Sequence, residues 1–301
     1  MKTFIIVNSK GGVGKTMLST QILPLLHGGN PEHVNIFEVD NENDTKITLE
    51  KSKIDFNSVS TQESDEVVAN TLFNSDKKGI NIIDIGSNSG DIDEVIGKLS
   101  DVIRNDEKNE VTFIVPANSD PEQFFNIKNT VKIIRKTWGD SSPIVLILNR
   151  AAGKEGDDKV KEQFFYIYGS DALNVKGRLN EIVQMVDAIH IVPESELAVF
   201  AKSIQRRSML DIYYEMASDP RPLNEIYKEW RELGKEGFIK EYKRFAVSLS
   251  INSFRKELAS LGRDLMGDLY DKNFPLREQI EAEAKKTEDE KKADMVESKD
   301  E

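Results

Sequence analysis

The sequence predicts a doubly wound α/β fold, Rossmann-like with a mostly parallel sheet, followed by a C-terminal helical region. Two observations lead to this prediction. Short runs rich in Ile and Val recur through residues 1–205 without alternating with polar residues, which is typical of strands buried on both faces of a parallel sheet. Helix-like segments separate these runs, and strands that alternate with helices indicate a doubly wound architecture.

Six strands and four helices are expected in this part of the chain. The strands are predicted at residues 4–7, 34–39, 80–85, 111–115, 144–148 and 189–192. The helices are predicted at residues 16–26, 92–103, 121–137 and 159–168. Because right-handed crossovers bring the carboxyl ends of parallel strands to one edge of the sheet, functional loops are expected at that edge.

Three further segments differ in character. Residues 44–74 are polar and lie between two predicted strands, so they form either a surface insertion or a mobile functional loop. Residues 206–275 carry apolar side chains at helical spacing. This helical appendage either packs on the α/β core or presents a face to a partner or to DNA. Residues 276–301, with ten acidic and six basic side chains, predict a frayed helix or a disordered tail.

Composition excludes several classes of function. The 301 residues include no cysteine, which rules out disulfides, thiolate zinc sites and a cysteine nucleophile. Three histidines without the H-x-x-x-H spacing argue against a zinc hydrolase, and His190, inside an apolar strand, is expected to be a core residue. The net charge of −12 argues against a uniformly basic surface for nucleic acids. The absence of a signal peptide and of cysteine favours a cytoplasmic location.

The strongest motif follows the first predicted strand. Residues 9–16 read Ser-Lys-Gly-Gly-Val-Gly-Lys-Thr, which departs from the P-loop pattern G-x-x-x-x-G-K-[ST] only at Ser9. Glycines in such a loop let backbone N–H groups point inward and form an anion site with the helix that follows. The residues expected to bind the nucleotide here are Gly11, Gly12, Val13, Gly14, Lys15 and Thr16. Lys15 is expected to reach the β- and γ-phosphates, and the Thr16 hydroxyl to bind Mg²⁺.

The loop has an additional lysine, Lys10. With it, residues 10–16 resemble the deviant Walker A motif K-G-G-x-G-K-[ST] of the ParA/MinD family of ATPases. The resemblance covers about residues 1–205 and implies an ATPase domain that binds ATP or ADP with Mg²⁺. It also implies a nucleotide-sandwich homodimer in the ATP state, in which Lys10 reaches the nucleotide of the partner subunit. The alternative interpretation is that Lys10 is a solvated loop lysine.

Acidic residues at two predicted strand ends fit this resemblance. Asp40 ends the second predicted strand, where the family has an aspartate that positions or activates the attacking water; a turn-capping role is the alternative. The sequence that follows, Asn41-Glu42, departs from the Pro-Gln of ParA proteins. Asp84 ends the third predicted strand and is expected to hold Mg²⁺, through a water. The predicted catalytic set is therefore Lys10, Lys15 and Asp40, and the metal set is Thr16 and Asp84.

Two later strand ends resemble the part of the family's site that receives adenine. Asn149 follows the predicted strand at residues 144–148, and the resemblance implies that its side chain contacts the base. Pro193 follows the predicted strand at residues 189–192 and resembles the family's I-P-x-[DS] segment, whose backbone lines the adenine. Either position also fits an ordinary strand-to-loop junction.

The resemblance implies a slow ATPase that a partner protein stimulates and that acts in DNA or plasmid segregation or in intracellular positioning. DNA without sequence preference is one candidate partner, and the basic face would come from Lys202, Arg206, Arg207, Lys240, Lys243 and Arg244. An accessory ATPase of a mobile element, for conjugation or plasmid stability, is the alternative that works through protein partners. A MinD-like membrane-surface switch ranks below both, because the C-terminal sequence is acidic rather than basic and amphipathic.

Overall fold

A seven-stranded parallel sheet forms the centre of the protein, which is described by a computed structural model over residues 1–40, 45–73, 79–87, 89–103, 108–154, 156–219 and 221–273. The strands are β1 (Lys2–Ile6), β2 (Val34–Val39), β3 (Asp55–Val59), β4 (Ile80–Ile85), β5 (Glu110–Ala117), β6 (Ile144–Ala151) and β7 (Ala188–Pro193). Their order is β3-β2-β4-β1-β5-β6-β7. The predicted fold class is confirmed, and all six predicted strands occur within a few residues of the expected bounds.

The helices lie in three stretches of the described chain. The first contains α1 (Lys15–Met17), a π-helical turn (Leu18–Ile22) and α2 (Leu23–His27). The second contains α3 (Ser64–Phe73), α4 (Ser89–Ile103), α5 (Gln123–Trp138), α6 (Asp158–Gln163), α7 (Phe165–Tyr168) and α8 (Leu179–Val183). The third contains α9 (Glu196–Phe200), a π-helical turn (Ala201–Gln205), α10 (Met209–Ala217), α11 (Leu223–Glu232), α12 (Gly234–Glu257), α13 (Ala259–Met266) and α14 (Asp268–Lys272). Short 3₁₀ turns occur at Pro31–His33, Thr45–Leu49 and Thr61–Glu63.

The ambiguous segment at residues 44–74 contains an edge strand and a helix. Within the described part of the chain, strand β3 pairs only with β2, and its residues Asn57 and Ser58 are polar and incompletely buried. An edge strand needs less apolar surface than a central one, which is why it lacks the Ile/Val signature of the other six. The sequence prediction of an insertion or loop therefore missed β3 and α3, while Asn41–Asp44 lie outside the described residues.

Two hydrophobic cores cover the two faces of the sheet. On one face, side chains such as Ile5, Val115 and Leu146 pack against α3–α8. On the other face, Phe4, Ile6 and neighbouring strand residues pack against the helix after the P-loop and against α9, α10 and α12–α14. The C-terminal helices thus complete the second core, as the packing alternative for the appendage predicted. Where the appendage begins, at residue 206, remains a prediction.

Part of the C-terminal region has a small core of its own. Ile226 and Trp230 of α11 pack with Phe245 of α12, and these aromatic rings lie 6.0 Å apart. Other apolar residues that the helical spacing singled out, Leu233, Tyr242 and Leu249, are each more than half exposed. Among the described helices, none is both long and apolar enough to cross a membrane. The predicted charged tail, 276–301, lies outside the described residues.

Arg255 of α12 joins the C-terminal helices to the helix after the P-loop. Its guanidinium is fully buried and donates hydrogen bonds to the carbonyl oxygens of Leu25 (2.9 Å), Leu26 (3.1 Å) and Tyr270 (3.0 Å). The two leucine carbonyls belong to the last turn of α2, where main-chain acceptors lack helical donors and a cation is favourable. His190 of β7 makes a similar contact between elements: its Nε2 lies 2.7 Å from Oδ2 of Asp264 in α13, as expected for a core histidine.

Replacing Arg255 tests how strongly this contact holds the appendage. We expect Arg255→Met to lower the free energy of unfolding by about 2 to 3 kcal/mol, because buried carbonyl oxygens lose their donors while the apolar volume is kept. Urea unfolding followed by circular dichroism measures the effect. Arg263→Met, on an exposed side chain, is the matched control and should change stability by less than about 0.5 kcal/mol. Equal stability of the two variants would contradict the role of Arg255.

Candidate nucleotide-binding site

The P-loop of residues 9–16 connects β1 to α1 at the carboxyl edge of the sheet. Lys15 is 9% exposed, and its ammonium donates to the main-chain oxygens of Asn8 (3.1 Å) and Lys10 (3.3 Å). These contacts hold the ammonium across the mouth of the loop. Burial lowers the pKa of Lys15, and the nearby carboxylates of Asp84 and Asp40 act in the opposite direction. The loop therefore holds a poorly hydrated cation at the anion site.

Gly14 is one position at which this loop requires glycine. Its φ is +96°, in the left-handed region that side chains disfavour, and a Cβ there would lie 1.8 Å from Nδ2 of Asn149. The same Asn149 nitrogen donates to the carbonyl oxygen of Val13 at 2.9 Å. Asn149 is buried, so the predicted base-contacting residue also braces the loop from the end of β6.

Asn8, immediately before the loop, connects the loop to neighbouring elements through its side-chain hydrogen bonds. Its buried amide donates to the carbonyl oxygen of Pro116 at 2.6 Å and to Gln123 at 3.3 Å. Its Oδ1 accepts the main-chain N–H of Lys10 at 2.9 Å. Asn8 therefore links the loop to β5 and α5.

Acidic side chains from β2 and β4 converge beside Lys15. Glu38 and Asp84 are register partners on adjacent strands, and both are buried. Asp84 accepts a hydrogen bond from the Ser19 hydroxyl at 2.7 Å. Burial raises the pKa of Asp84 to about 7, although the Ser19 hydrogen bond and the charge of Lys15 oppose the increase.

Asp40 completes this group of carboxylates at the end of β2. The site of a Cβ on Gly86 would lie only 2.7 Å from Oδ2 of Asp40, so a side chain at position 86 would displace the carboxylate. In the structure Asp40 covers that side of the Gly86 backbone. The main-chain N–H of Gly86 also donates to Val39 at 2.9 Å, which fixes the two strand ends together.

These groups line one cleft, here termed the phosphate cleft, which is open to solvent and contains about 720 Å³ of empty space. Its lining residues include Gly11, Gly12, Gly14, Lys15, Thr16, Met17, Glu38, Asp40, Asp84, Gly86, Ser87, Arg150 and Lys202. An adjoining cleft is lined by Met17, Ile22, Asn149, Arg150, Val192, Pro193, Glu194, Ser195, Ala198 and Val199. Met17 and Arg150 line both. The sequence-predicted phosphate and base residues thus occupy two halves of a continuous depression.

Oxygen groups in the first cleft suit Mg²⁺. The Thr16 side chain and the Asp84 carboxylate lie in the same lining, and a divalent cation would offset the cost of burying a charged Asp84. Among the described residues, no cluster of three acidic or histidine side chains forms a metal site by itself. In Mg²⁺ sites that receive a nucleotide, phosphate oxygens and water complete a coordination sphere that the protein only begins.

Lys10 is placed differently from Lys15. Its side chain is absent from the lining of the phosphate cleft and forms ion pairs with Glu122 at 3.1 Å and Asp120 at 3.4 Å. The hydrogen bond and charge of Glu122, followed by those of Asp120, raise the pKa of Lys10. Lys10 therefore points away from the site of its own subunit and remains protonated at neutral pH.

Three charged lining residues were not assigned to the site from the sequence. Glu38 did carry a signal, since a lone carboxylate within an otherwise buried strand is costly without a purpose. Arg150 also carried a signal, because it directly follows the predicted base contact Asn149. In the structure its φ of +56° lies in the left-handed region. Lys202 carried no local signal and was instead assigned to a basic face for DNA. The structure places it, half-buried, in the phosphate cleft.

The family model described as the CobQ/CobB/MinD/ParA nucleotide binding domain matches residues 4–192. No match was found among curated proteins.

Among solved structures, apo McdA from Cyanothece has 15% identity and a TM-score of 0.43, covering 71% of this chain and 94% of its own. The cell division protein MinD from Aquifex aeolicus has 16% identity and a TM-score of 0.38, covering 67% of this chain and 86% of its own. A putative plasmid partition protein from Borrelia burgdorferi, bound to AMPPNP, has 17% identity and a TM-score of 0.40, covering 68% and 90%.

At such low identities these structural likenesses concern the fold alone, and the assignment rests on the sequence match. That match covers well over half of the chain and ends within β7. It includes the P-loop and the acidic ends of β2 and β4. The chain therefore belongs to the CobQ/CobB/MinD/ParA nucleotide-binding domain family.

Proposed function

We propose that the protein is a Mg²⁺-dependent ATPase that works as a dimer switch, with ATP favouring the dimer and hydrolysis releasing it. The observation that carries the proposal is the convergence of Lys15, Thr16, Asp40 and Asp84 in one cleft while Lys10 points out of it. A P-loop with an acidic strand end is the chemistry of nucleoside triphosphate hydrolysis. A second loop lysine directed outward is suited to a partner subunit's nucleotide.

Each residue has a distinct part in this proposal. Lys15 and the loop N–H groups bind the phosphates. Thr16 and Asp84 would hold Mg²⁺, which when bound would neutralise charge that develops on the phosphates. Asp40, half-buried at the edge of the cleft, positions the attacking water. Asn149 and Pro193 border the second cleft, where the base lies. Slow turnover in the isolated protein follows if the attacking water is fully oriented only in a complex with a stimulating partner.

Size-exclusion chromatography with light scattering tests the switch directly. With Mg²⁺ and a non-hydrolysable ATP analogue the protein should elute at twice the mass found with ADP. The same mass in both nucleotides, with binding of each verified by calorimetry, would contradict the dimer switch while leaving nucleotide binding intact.

Replacing Lys10 tests its role across the interface. We expect Lys10→Ala to bind ATP analogue and ADP as monomer within about threefold of the wild type, and to raise the dimer dissociation constant about 10- to 100-fold, because a charge-assisted contact is lost. Lys161→Ala removes a similarly exposed lysine, paired with Asp158 at 2.9 Å, and serves as the control. Normal dimerisation of Lys10→Ala would show that Lys10 does not act in the partner's site.

The cargo we propose is a protein surface in a positioning or mobile-element system, with DNA as the competing candidate. Of the six basic residues considered for DNA binding, Lys202 faces the cleft, and three pair with carboxylates. Arg206 pairs with Glu50 at 2.7 Å, while Arg207 and Arg244 share Glu215 at 2.9 and 3.2 Å. Exposed apolar residues of α12 favour a protein partner.

Light scattering with added duplex DNA separates the two candidates. Strongly salt-dependent DNA binding that appears only with the ATP analogue would favour DNA segregation. No binding at low salt in that state would favour a protein cargo.

A further inference from the structure

The segment after β7, residues 194–211, crosses the helix that follows the P-loop and reaches the far side of the site. It is called the crossing segment. Within this segment, the carbonyl oxygen of Arg207 accepts a hydrogen bond from the side chain of Gln21 at 3.2 Å, and Met209 N–H donates to the same side chain at 2.9 Å. In the same segment, the carbonyl oxygen of Arg206 accepts a hydrogen bond from the Lys51 N–H at 3.0 Å. A segment that starts at the β7 edge of the sheet is thereby attached beside β2 and β3.

Asp211, at the start of α10, completes this attachment. Its carboxylate accepts hydrogen bonds from the Ser52 hydroxyl at 2.5 Å and from Lys53 N–H at 2.9 Å. It also accepts from the Ser208 N–H at 3.1 Å and so caps its own helix. Because Asp211 is buried, these bonds are shielded from water, and the crossing segment has a defined position.

Lys202 projects from this crossing segment into the phosphate cleft. Its half-buried side chain lines the cleft together with Lys15, Thr16 and Asp84. Burial lowers the pKa of Lys202, whereas the charges of Asp84 and Glu38 act in the opposite direction. Lys202 forms no hydrogen bond or ion pair within 4.0 Å to any other side chain in the described part of the chain.

The position of Lys202 indicates which part of a ligand it would meet. Two carboxylates, those of Asp84 and Glu38, interact with the charge of Lys202. They lie at the carboxyl ends of β4 and β2. In the proposed site this is the side where Thr16 and Asp84 would hold Mg²⁺, whereas the glycine backbone of the P-loop would surround the inner phosphates. An ammonium on a flexible four-carbon stem suits a phosphate oxygen whose position changes during a reaction.

We propose that Lys202 binds the terminal phosphate of a nucleoside triphosphate in its own subunit and so favours the triphosphate over the diphosphate. The inference rests on the proposed function and names a determinant of nucleotide selectivity within that site. The terminal phosphate of a triphosphate can accept a hydrogen bond from Lys202, whereas a diphosphate has no phosphate at that position. Its attachment through Arg207 and Asp211 makes the crossing segment the connection between the terminal phosphate and the C-terminal helices.

Calorimetric titration of Lys202→Gln with ADP and with a non-hydrolysable ATP analogue, both with Mg²⁺, tests the selectivity. Affinity for the analogue should fall about 10-fold or more, as for loss of one charge-assisted hydrogen bond, and affinity for ADP by less than about threefold. Lys202→Arg should recover most of the loss. Arg206→Gln alters an exposed side chain of the same crossing segment and should change neither affinity.

Protection of the wild-type lysine gives a second measurement that needs no variant. Acetylation of Lys202 by an activated ester, followed by peptide mass spectrometry, should slow at least about fivefold with the analogue and much less with ADP. Equal protection by both nucleotides, or none by either, would overturn the inference. So would an equal loss of both affinities in Lys202→Gln, or no loss.

The outcomes also separate this inference from the proposed function. If the wild type binds neither nucleotide, the proposed function fails and the inference fails with it. If the wild type binds both, Lys15→Ala binds neither, and Lys202→Gln behaves as the wild type, only the inference fails.

Discussion

Lys15→Ala is expected to lower the affinity for both ATP and ADP by at least about 100-fold. The ammonium of Lys15 is held by the main-chain oxygens of Asn8 and Lys10, so little conformational entropy is lost when phosphate binds. Because the group is buried, its charge interacts with phosphate more strongly than an exposed lysine would. Calorimetric titration with each nucleotide and Mg²⁺ measures the effect.

Lys128→Ala, on the exposed surface of α5, is the control and should bind as the wild type does. Stability separates a binding defect from misfolding. Lys15→Ala removes a partly dehydrated cation, so its urea midpoint without nucleotide should stay close to that of the wild type. Affinity within threefold of the wild type in a folded Lys15→Ala would contradict the assignment of the P-loop lysine.

Asp84→Asn is expected to abolish most hydrolysis and yet to stabilise the nucleotide-free protein above neutral pH. Because Asp84 is proposed to hold Mg²⁺, we expect loss of its carboxylate to weaken metal binding and turnover to fall about 100-fold or more. Hydrolysis at saturating Mg²⁺ and ATP measures this. Asp171→Asn, on an exposed loop residue, should leave hydrolysis unchanged.

The stability effect follows from the direction of the Asp84 pKa shift. Burial raises this pKa from 3.8 to about 7 in the folded protein, so folding favours the protonated carboxyl. The resulting stabilisation is complete below the unfolded pKa and is lost as the pH rises through about 7. At pH 8 the wild type holds a buried charge that Asn does not, and Asp84→Asn should then be more stable by about 2 to 4 kcal/mol.

Urea unfolding at pH 6 and pH 8 in the absence of nucleotide checks the sign. The difference in stability between the two pH values should be smaller in Asp84→Asn than in the wild type and should be unchanged in Asp171→Asn. If the variant and the wild type lose the same stability between these pH values, Asp84 is not the group that titrates. A stabilised and inactive variant would show that this carboxylate is kept for chemistry at a cost to folding.

Local patterns predicted the central strands well and the edge of the sheet poorly. β2 and β4 are each buried along their whole length, and their Ile/Val content follows from that burial. Among the described strands, β3 pairs with β2 alone, so Asn57 and Ser58 do not have to leave water completely. The sequence signal weakens where burial weakens, which is why this strand was read as part of an insertion or loop.

The amino-acid sequence by itself determined the fold class, the family and the P-loop. Those inferences depend on local patterns, each formed by residues within a few positions of one another, and on the order in which the patterns follow along the chain. Tertiary structure alone decided that Lys202, distant in sequence, enters the phosphate cleft and that Arg255 caps the helix after the P-loop. Hydrogen bonds such as those of Gln21 and Asp211 fix where distant segments meet. No spacing in the sequence encodes such a meeting, because it depends on how whole helices pack against the sheet.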